Sequence, residues 1–376
     1  MRVVADDKIP FLKGILEPHV NIRYLPGNKI TREVMMDADA LLVRTRTRCT
    51  SENLEGTPVK FIATATIGYD HIDTRYCEQA GIKWVSSPGC NSGSVQQYLA
   101  AALLNLSAKK VMPLTGTTIG IVGAGNVGSK VEKIAGLMGM RVLVNDPPRE
   151  RLEGSAGFVS LDVLSSEADI ITFHVPLTMS GQDKTHHLVN ELLIKRMKKG
   201  AWLINTSRGE VADTQSLCKA VKSGRLGGLI LDVWENEPDI DLGLMKMASI
   251  ATPHIAGYST DGKANGTSMV VRALSEHFDL PARNWYPVNV PPPQTPVIEI
   301  DGRGKNCLEI LGLAVAHTYD ITEDDRNLRN NPSEFEKQRG EYRLRREFPA
   351  FTVNVKNPPA GIKEIMEKAG FKTIIS

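Results

Sequence analysis

The 376-residue sequence has no apolar run near the roughly 20 residues that a membrane-spanning helix needs. Its five cysteines (Cys49, Cys77, Cys90, Cys218, Cys307) are odd in number and scattered, with no C-x-x-C pair. That argues against a disulfide framework or a cysteine-built metal site, and the expected setting is a reducing cytoplasm. Neither sign of charge dominates, because 45 Lys and Arg stand against 43 Asp and Glu for a net +2. Overall charge therefore makes no case for nucleic acid or a membrane surface as partner. Internal repeats and low-complexity tracts are missing. The opening Met-Arg-Val-Val-Ala-Asp-Asp has none of the layout of a secretory signal and reads as a first strand. No histidine–carboxylate spacing resembles a zinc site, so no metal is expected.

What is present is an ordinary globular composition, 41% hydrophobic and 23% charged, long enough for two or three cores. Ile119, Ile121 and Val122 form a short β-branched run suited to a strand buried on both faces. Gly123-Ala124-Gly125-Asn126-Val127-Gly128 then spells G-x-G-x-x-G and opens a helix-like segment. In such a turn the first glycine permits the reversal and the second admits a pyrophosphate to the backbone. The third lets the helix, with its N-terminal amides, lie close on the sheet. The next strand-like run ends on Asp146, at about the 20-residue spacing of an acid that accepts a ribose 2′-OH and repels a 2′-phosphate. Strand, turn, helix, strand and acid in this order point to a dinucleotide site that favours NAD over NADP, with Arg149 the one nearby residue favouring the phosphorylated form.

Residues 1–92 show a smaller strand–helix alternation, with apolar runs at 3–5, 40–43, 61–65 and 83–85. The second of these leads into Arg44-Thr45-Arg46-Thr47-Arg48. If the strand continued, period-two geometry would place three arginines on one face, where an anion would relieve their repulsion. The small, breaker-rich stretch 86–94 reads as a crossing into an apolar helix over 95–106. Further runs at 169–174, 201–205, 229–231 and 249–251 each end in polar or ionisable residues, and ligands of open α/β sheets bind at those carboxyl ends. After Trp285 a proline-rich linker leads into a last unit. It contains helix-like runs at 308–317 and 333–347, a strand-like run at 351–355 and a terminal helix–strand pair. Some 80 residues make a small core, so this unit is expected to dock on another surface or a second subunit.

Three residues on these strand ends make a consistent chemical set. Arg208 suits the bidentate grip of a substrate carboxylate. His254 suits the base that takes a hydroxyl proton, and Glu237 the carboxylate that fixes its tautomer. Asp232, after a buried run, is placed to reach the nicotinamide end of a cofactor. His186-His187, in a polar segment, is expected to face solvent.

With these residues in view, five stretches resemble the D-isomer-specific 2-hydroxyacid dehydrogenases. They are residues 123–128, His174-Val-Pro-Leu-Thr178, Leu203-Ile-Asn-Thr-Ser-Arg-Gly209, Leu231-Asp-Val-Trp-Glu235 and Pro253-His-Ile-Ala-Gly-Tyr-Ser259. The resemblance covers roughly residues 1–285. Residues 43–47, 64–73, 87–91, 146–149 and the tail narrow it to members acting on a phosphorylated acid. It implies an α/β chain: a Rossmann-type NAD-binding domain over 95–255 and a discontinuous flavodoxin-like substrate domain over 1–94 and 256–285, with a cleft between them. A small α+β dimerisation domain over 286–376 completes it.

The resemblance also implies that Arg208, Glu237 and His254 are catalytic, and that Val175 (through its backbone), Gly257, Asp146 and Asp232 contact NAD. Thr45, Thr66 and Tyr258 would contact substrate, joined by Arg44 and Arg46 at its phosphate. Arg343, Arg345 and Arg346 are the tail's candidates for reaching that phosphate from a second subunit of a homodimer. The competing expectations are another dehydrogenase of the family, such as one acting on 3-phosphoglycerate, and a non-catalytic NAD-sensing protein on the same fold.

Overall fold

The short apolar runs fold as parallel strands, because residues buried on both faces of a sheet leave no room for polar alternation. In the computed structural model, which describes residues 1–375, the chain forms two units. One comprises residues 1–91 and 259–291, the other residues 92–258 and 292–376.

The first unit holds β1 (Arg2–Asp6), β2 (Asn21–Leu25), β3 (Ala40–Val43), β4 (Phe61–Thr64) and β5 (Lys83–Val85), all parallel, in the order β2-β1-β3-β4-β5. Strict alternation divides their side chains. Val3, Ala5, Leu42 and Phe61 face one core, and Val4, Leu41, Val43 and Ile62 face the other. The first core is closed by Val270, Val271 and Leu274 of the helix Thr260–His277, the chain returning to this unit. This strand order reverses direction between β1 and β3, the switch point where doubly wound sheets place ligands.

Arg44, Arg46 and Arg48 are not on a continued strand. β3 stops at Val43, and the Thr47 amide donates back to the Arg44 carbonyl at 3.2 Å, forming a turn. Burial of the Thr47 hydroxyl, which donates to the Gly27 carbonyl at 3.1 Å, pulls the chain out of line. The arginines therefore crown the switch point on a loop instead of sharing one pleated face.

The second unit carries β6 (Thr118–Val122), β7 (Arg141–Asn145), β8 (Ile170–Phe173), β9 (Ala201–Asn205), β10 (Leu226–Leu231) and β11 (Ile250–Ala251). They form one parallel sheet in the order β11-β10-β9-β8-β6-β7. Its direction reverses between β6 and β8, beside the glycine turn. Outside β7 the chain begins another rung, where the Val159 amide donates to the Val144 carbonyl at 2.8 Å. Ile119, Ile121, Ile170, Ile204 and Ile230 fill one face beneath the helix Ser92–Ala108. Val122, Phe173, Leu203, Leu229 and Leu231 fill the other.

The tail is built into the same body. β12 (Val297–Asp301), β13 (Thr352–Lys356) and β14 (Lys372–Ile375) pair in parallel, in sequence order. The helices Cys307–Thr318 and Ile362–Ala369 pack toward Ser92–Ala108 and Gly128–Leu137, so Leu311, Val315 and Met366 share a core with Leu99, Leu103 and Ile134. The charged run 333–347 is not one helix. A 3-10 turn Pro332–Glu334 and the helix Phe335–Gly340 are followed, after a turn at Glu341, by irregular chain.

Candidate active site

The glycine turn after β6 is built for close approach. Gly123 has φ +91°, and a Cβ there would meet the His174 carbonyl oxygen at 2.5 Å. Gly125 and Asn126 are exposed, and nothing lies within 4 Å of where a Gly125 Cβ would stand. Val127 is half-buried, and Gly128 begins the helix Gly128–Leu137. Asp146 closes the turn from beyond β7. Its Oδ2 accepts the Ala124 amide at 2.8 Å, and its Oδ1 accepts the Arg149 amide at 3.0 Å as the cap of the helix Pro147–Glu153. The open glycine loop with an acid at its rim fits a dinucleotide whose ribose carries a free 2′-OH.

Arg149, the residue that would favour a 2′-phosphate, is engaged within the protein. Its guanidinium is clamped by Glu153 at 2.7 Å and donates to the Ala124 carbonyl at 2.6 Å. After β8, Val175 lies half-buried against Gly123. His174 beside it sits between the Thr172 and Thr206 hydroxyls at 3.0 and 3.4 Å. Burial pushes its pKa down to about 3, so it is a neutral wall of the site.

The ends of β9, β10 and β11, three neighbours in the sheet, supply Arg208, Glu237 and His254. Asn205 shapes the first loop. Its Oδ1 accepts the Ser207 amide and hydroxyl at 3.1 and 2.8 Å, and its Nδ2 donates to the Arg208 carbonyl at 2.8 Å. Arg208 thereby leaves the sheet in extended conformation, with its Nη1 donating to the Ser207 carbonyl at 2.8 Å. Next to it, Gly209 lies so close to the second loop that a Cβ would stand 1.9 Å from the Trp234 carbonyl carbon.

Glu237 Oε2 accepts from His254 Nδ1 at 2.7 Å, and Glu237 Oε1 accepts the Trp234 amide at 2.9 Å. Burial acts to raise the Glu237 carboxyl. The bond and charge of His254, with the Trp234 amide, outweigh it and hold the group below its usual range. His254 stands at φ +56°, a left-handed conformation held by the bonds around it. Its own amide donates to the Asp232 carbonyl at 2.6 Å.

Asp232 is 1% exposed, and its carboxylate holds this loop from below. Oδ1 accepts the Ile255 amide at 2.8 Å and the Thr252 hydroxyl at 2.6 Å, and Oδ2 accepts the Ala256 amide at 2.9 Å. With the Thr252 proton so committed, the buried Tyr98 hydroxyl, 2.7 Å away, is the donor to Thr252. Any cofactor contact by Asp232 is made alongside these bonds. Gly257 and Tyr258 follow in the same loop, the Tyr258 amide donating to the Ile255 carbonyl at 2.8 Å.

In the first unit Thr45 is exposed at the tip of its turn, and Arg44 donates to the Lys8 carbonyl at 3.2 Å. The Thr66 hydroxyl donates to the Gly68 carbonyl at 2.9 Å and meets the Thr64 hydroxyl at 2.7 Å. Behind it lies His71, Nε2 3.1 Å from the Thr64 hydroxyl, with its pKa pushed down by burial to about 4. Nothing in local sequence marks that pairing.

Two expectations need correcting. His187 is not simply solvent-facing. It is half-buried, with its Nε2 2.7 Å from Glu235 Oε1 and its ring stacked on His186. Among the described residues, His187, Asp213 and Glu235 are the one group of three or more with potential metal-ligating atoms all within 4.8 Å of one another. Those groups are already used as a loop clamp. Glu235 Oε2 accepts the Thr214 amide at 2.8 Å, and Asp213 caps the helix Thr214–Lys222.

Arg345, offered above as a phosphate ligand for a second subunit, is 3% exposed. It is turned into its own chain, donating to the Ala256 carbonyl at 2.5 Å, and Arg343 pairs with Glu323 and Asp324.

Comparison with known proteins gives the family. Residues 95–256 match the family model "D-isomer specific 2-hydroxyacid dehydrogenase, NAD binding domain", and residues 290–367 match a domain of unknown function. An erythronate-4-phosphate dehydrogenase of Bacteroides thetaiotaomicron is 47% identical over 94% of this chain and 99% of its own. One from Pseudomonas syringae pv. tomato is 38% identical over 98% of this chain and 99% of its own. Among solved structures, D-lactate dehydrogenase from Aquifex aeolicus, complexed with NAD and lactic acid, is similar with TM-score 0.63 and 30% identity. It covers 74% of this chain and 96% of its own.

Proposed function

Since the chain belongs to the erythronate-4-phosphate dehydrogenases, a branch of the D-isomer-specific 2-hydroxyacid dehydrogenases, we propose that it oxidises the C2 hydroxyl of 4-phospho-D-erythronate. The product is (R)-3-hydroxy-2-oxo-4-phosphooxybutanoate, and the step serves pyridoxal 5′-phosphate (vitamin B6) biosynthesis. The observation that carries the reading is the His254–Glu237 pair at 2.7 Å, on a strand end of the sheet that also bears the open glycine turn.

NAD, held by residues 123–128 with Asp146, Val175, Asp232 and Gly257, supplies the hydride acceptor when bound. The chain's own residues do the rest. Arg208 grips the C1 carboxylate and so sets the C2–H bond toward the cofactor site. His254 Nε2 takes the hydroxyl proton as the carbonyl forms and returns it in the reverse direction. Glu237 keeps the proton of Nδ1 facing itself, leaving Nε2 the free base, and stabilises the imidazolium that results. Thr45, Thr66 and Tyr258 contact the acid, and Arg44 and Arg46 meet its phosphate. Support for that last role comes from the switch point of the first sheet, where both arginines lie.

Among the described residues no helix is long and apolar enough to cross a membrane. We place the enzyme in the cytoplasm, as a homodimer joined through residues 286–376. Val297, Leu313 and Leu344 are exposed apolar side chains within those residues.

A panel of 4-phospho-D-erythronate, 3-phospho-D-glycerate, D-erythronate and D-lactate with NAD, read by NADH absorbance, tests the assignment. The first should exceed the others in kcat/KM by at least tenfold. Preference for 3-phospho-D-glycerate would move the enzyme to the neighbouring activity, and no turnover of any acid would leave an NAD-binding protein.

A further inference from the structure

The tail, residues 292–376, closes on the loop that carries the base. Ala256 and Tyr258 lie two and four residues after His254, and three tail residues grip them. Arg345 donates to the Ala256 carbonyl at 2.5 Å and to the Ser94 hydroxyl, whose own donation to Ala256 at 2.7 Å completes a small ring. The Arg339 guanidinium lies over the Tyr258 ring, 5.7 Å from its centroid. Tyr342 meets the same ring edge-on, with centroids 6.0 Å apart and planes at 89°. Tyr258 is thus held on a cation and an aromatic edge, both favourable to its ring.

These grips are themselves braced. Arg339 pairs with Glu336 at 2.7 Å and lies against the buried Phe335. Burial works against its charge, but Tyr258, Glu237 and Glu336 outweigh that and keep it protonated. The Tyr342 hydroxyl donates to the buried Asp324 at 2.6 Å, and Asp324 also takes the Tyr319 hydroxyl at 2.8 Å. Arg345 in turn stacks on Tyr319, 4.5 Å from its centroid. Two faces of one loop are therefore set by chain from some 80 residues further on.

We propose that the tail is a working part of the substrate site: Arg339 and Tyr342 are positioning residues that hold Tyr258 to receive the phosphorylated acid, and Arg345 fixes the backbone beneath it. This rests on the reading of Tyr258 as a substrate contact. It gives the domain of unknown function a task separate from subunit association. The D-lactate dehydrogenase described above matches 74% of this chain and was solved with the smaller lactic acid.

A double-mutant cycle on the full-length enzyme tests this, with Arg339→Met, Tyr258→Ala and the pair. Arg339→Met should raise KM for 4-phospho-D-erythronate by roughly three- to thirtyfold, the range of one cation–π contact, with kcat within about threefold. NADH affinity should not change. Arg339→Lys, which keeps the charge but loses the planar stack, should recover part of the effect and serves if the methionine variant folds poorly.

In the Tyr258→Ala background the Arg339 substitution should have no further effect on KM. Additive effects, or a fall in kcat at constant KM, would overturn the proposal. So would losses that disappear at high protein concentration as dimers reform, since the tail would then act through association alone. If Tyr258→Ala itself leaves KM unchanged, the substrate reading of Tyr258 fails and the proposal with it. If Tyr258→Ala raises KM and Arg339→Met does not, the proposal alone fails.

Discussion

Glu237 holds His254 by its Nδ1 at 2.7 Å while its other oxygen is tied to the Trp234 amide, so the dyad is oriented before any substrate arrives. Glu237→Gln keeps the shape and removes the charge. An amide can then present a donor to Nδ1 and favour the tautomer with its proton on Nε2, where the base must be empty. Turnover should fall on the order of 10²–10⁴ with little change in NADH affinity. Steady-state kinetics and fluorescence titration would separate the two effects.

The same carboxyl makes a pH-dependent contribution to stability. Its pKa in the fold is below the usual 4.5, so folding favours the ionised form. That contribution is fully present above the unfolded value and is lost as pH falls through the lowered folded one. Urea unfolding of wild type and Glu237→Gln should therefore show a gap at pH 7 that narrows below about pH 4.5. A gap that widens on acidification would contradict the sign argued here.

Gly209 separates the arginine loop from the loop of the dyad. Since a Cβ there would stand 1.9 Å from the Trp234 carbonyl carbon, Gly209→Ala has to push the two loops apart. The expected cost is about 1–3 kcal/mol of stability, by overpacking. Displacing Glu237 relative to Arg208 should also lower kcat on the order of 10². Thermal unfolding and kcat measured on the same preparation would check both.

Cofactor choice is expected to depend on Asp146 and on the clamp that Glu153 places on Arg149. Wild type should prefer NAD strongly, because the acid repels a 2′-phosphate and the arginine is engaged elsewhere. Asp146→Ala should cost about 1 kcal/mol through the lost cap and raise the NADP-to-NAD ratio of kcat/KM at least tenfold. Adding Glu153→Ala, which releases Arg149, should raise it further. An unchanged ratio in the double variant would remove both residues from cofactor selection.

Arg44→Met and Arg46→Met bear on the phosphate. Each should raise KM for 4-phospho-D-erythronate by roughly 10- to 100-fold, the worth of a charge-assisted bond, and barely alter that for D-erythronate. Equal effects on the two acids would place the phosphate elsewhere.

The five- and six-stranded sheets were legible in the sequence where strands are buried on both faces, as at residues 40–43 and 201–204, since such runs are apolar without interruption. Asn21–Leu25 was not seen, because an edge strand with one half-open face reads Asn-Ile-Arg-Tyr-Leu and looks like loop. Glu237 and His254 stood out because each lies in the loop that follows a buried strand. Arg339, Tyr342 and Arg345 were not placed there. Nothing in local spacing says which distant segment a charged run will fold against, and such pairings are decided by packing. The His187–Glu235 clamp escaped for the same reason.

The shared core of the tail sets a lower limit on how short this dehydrogenase can be made. Leu311, Val315 and Met366 are the cover of Ser92–Ala108 and Gly128–Leu137, so cutting the chain at the proline stretch would bare an oily surface on the very helix that follows the pyrophosphate turn. Trimming to the size of the lactate enzymes would therefore be expected to yield an aggregating fragment rather than a minimal catalyst.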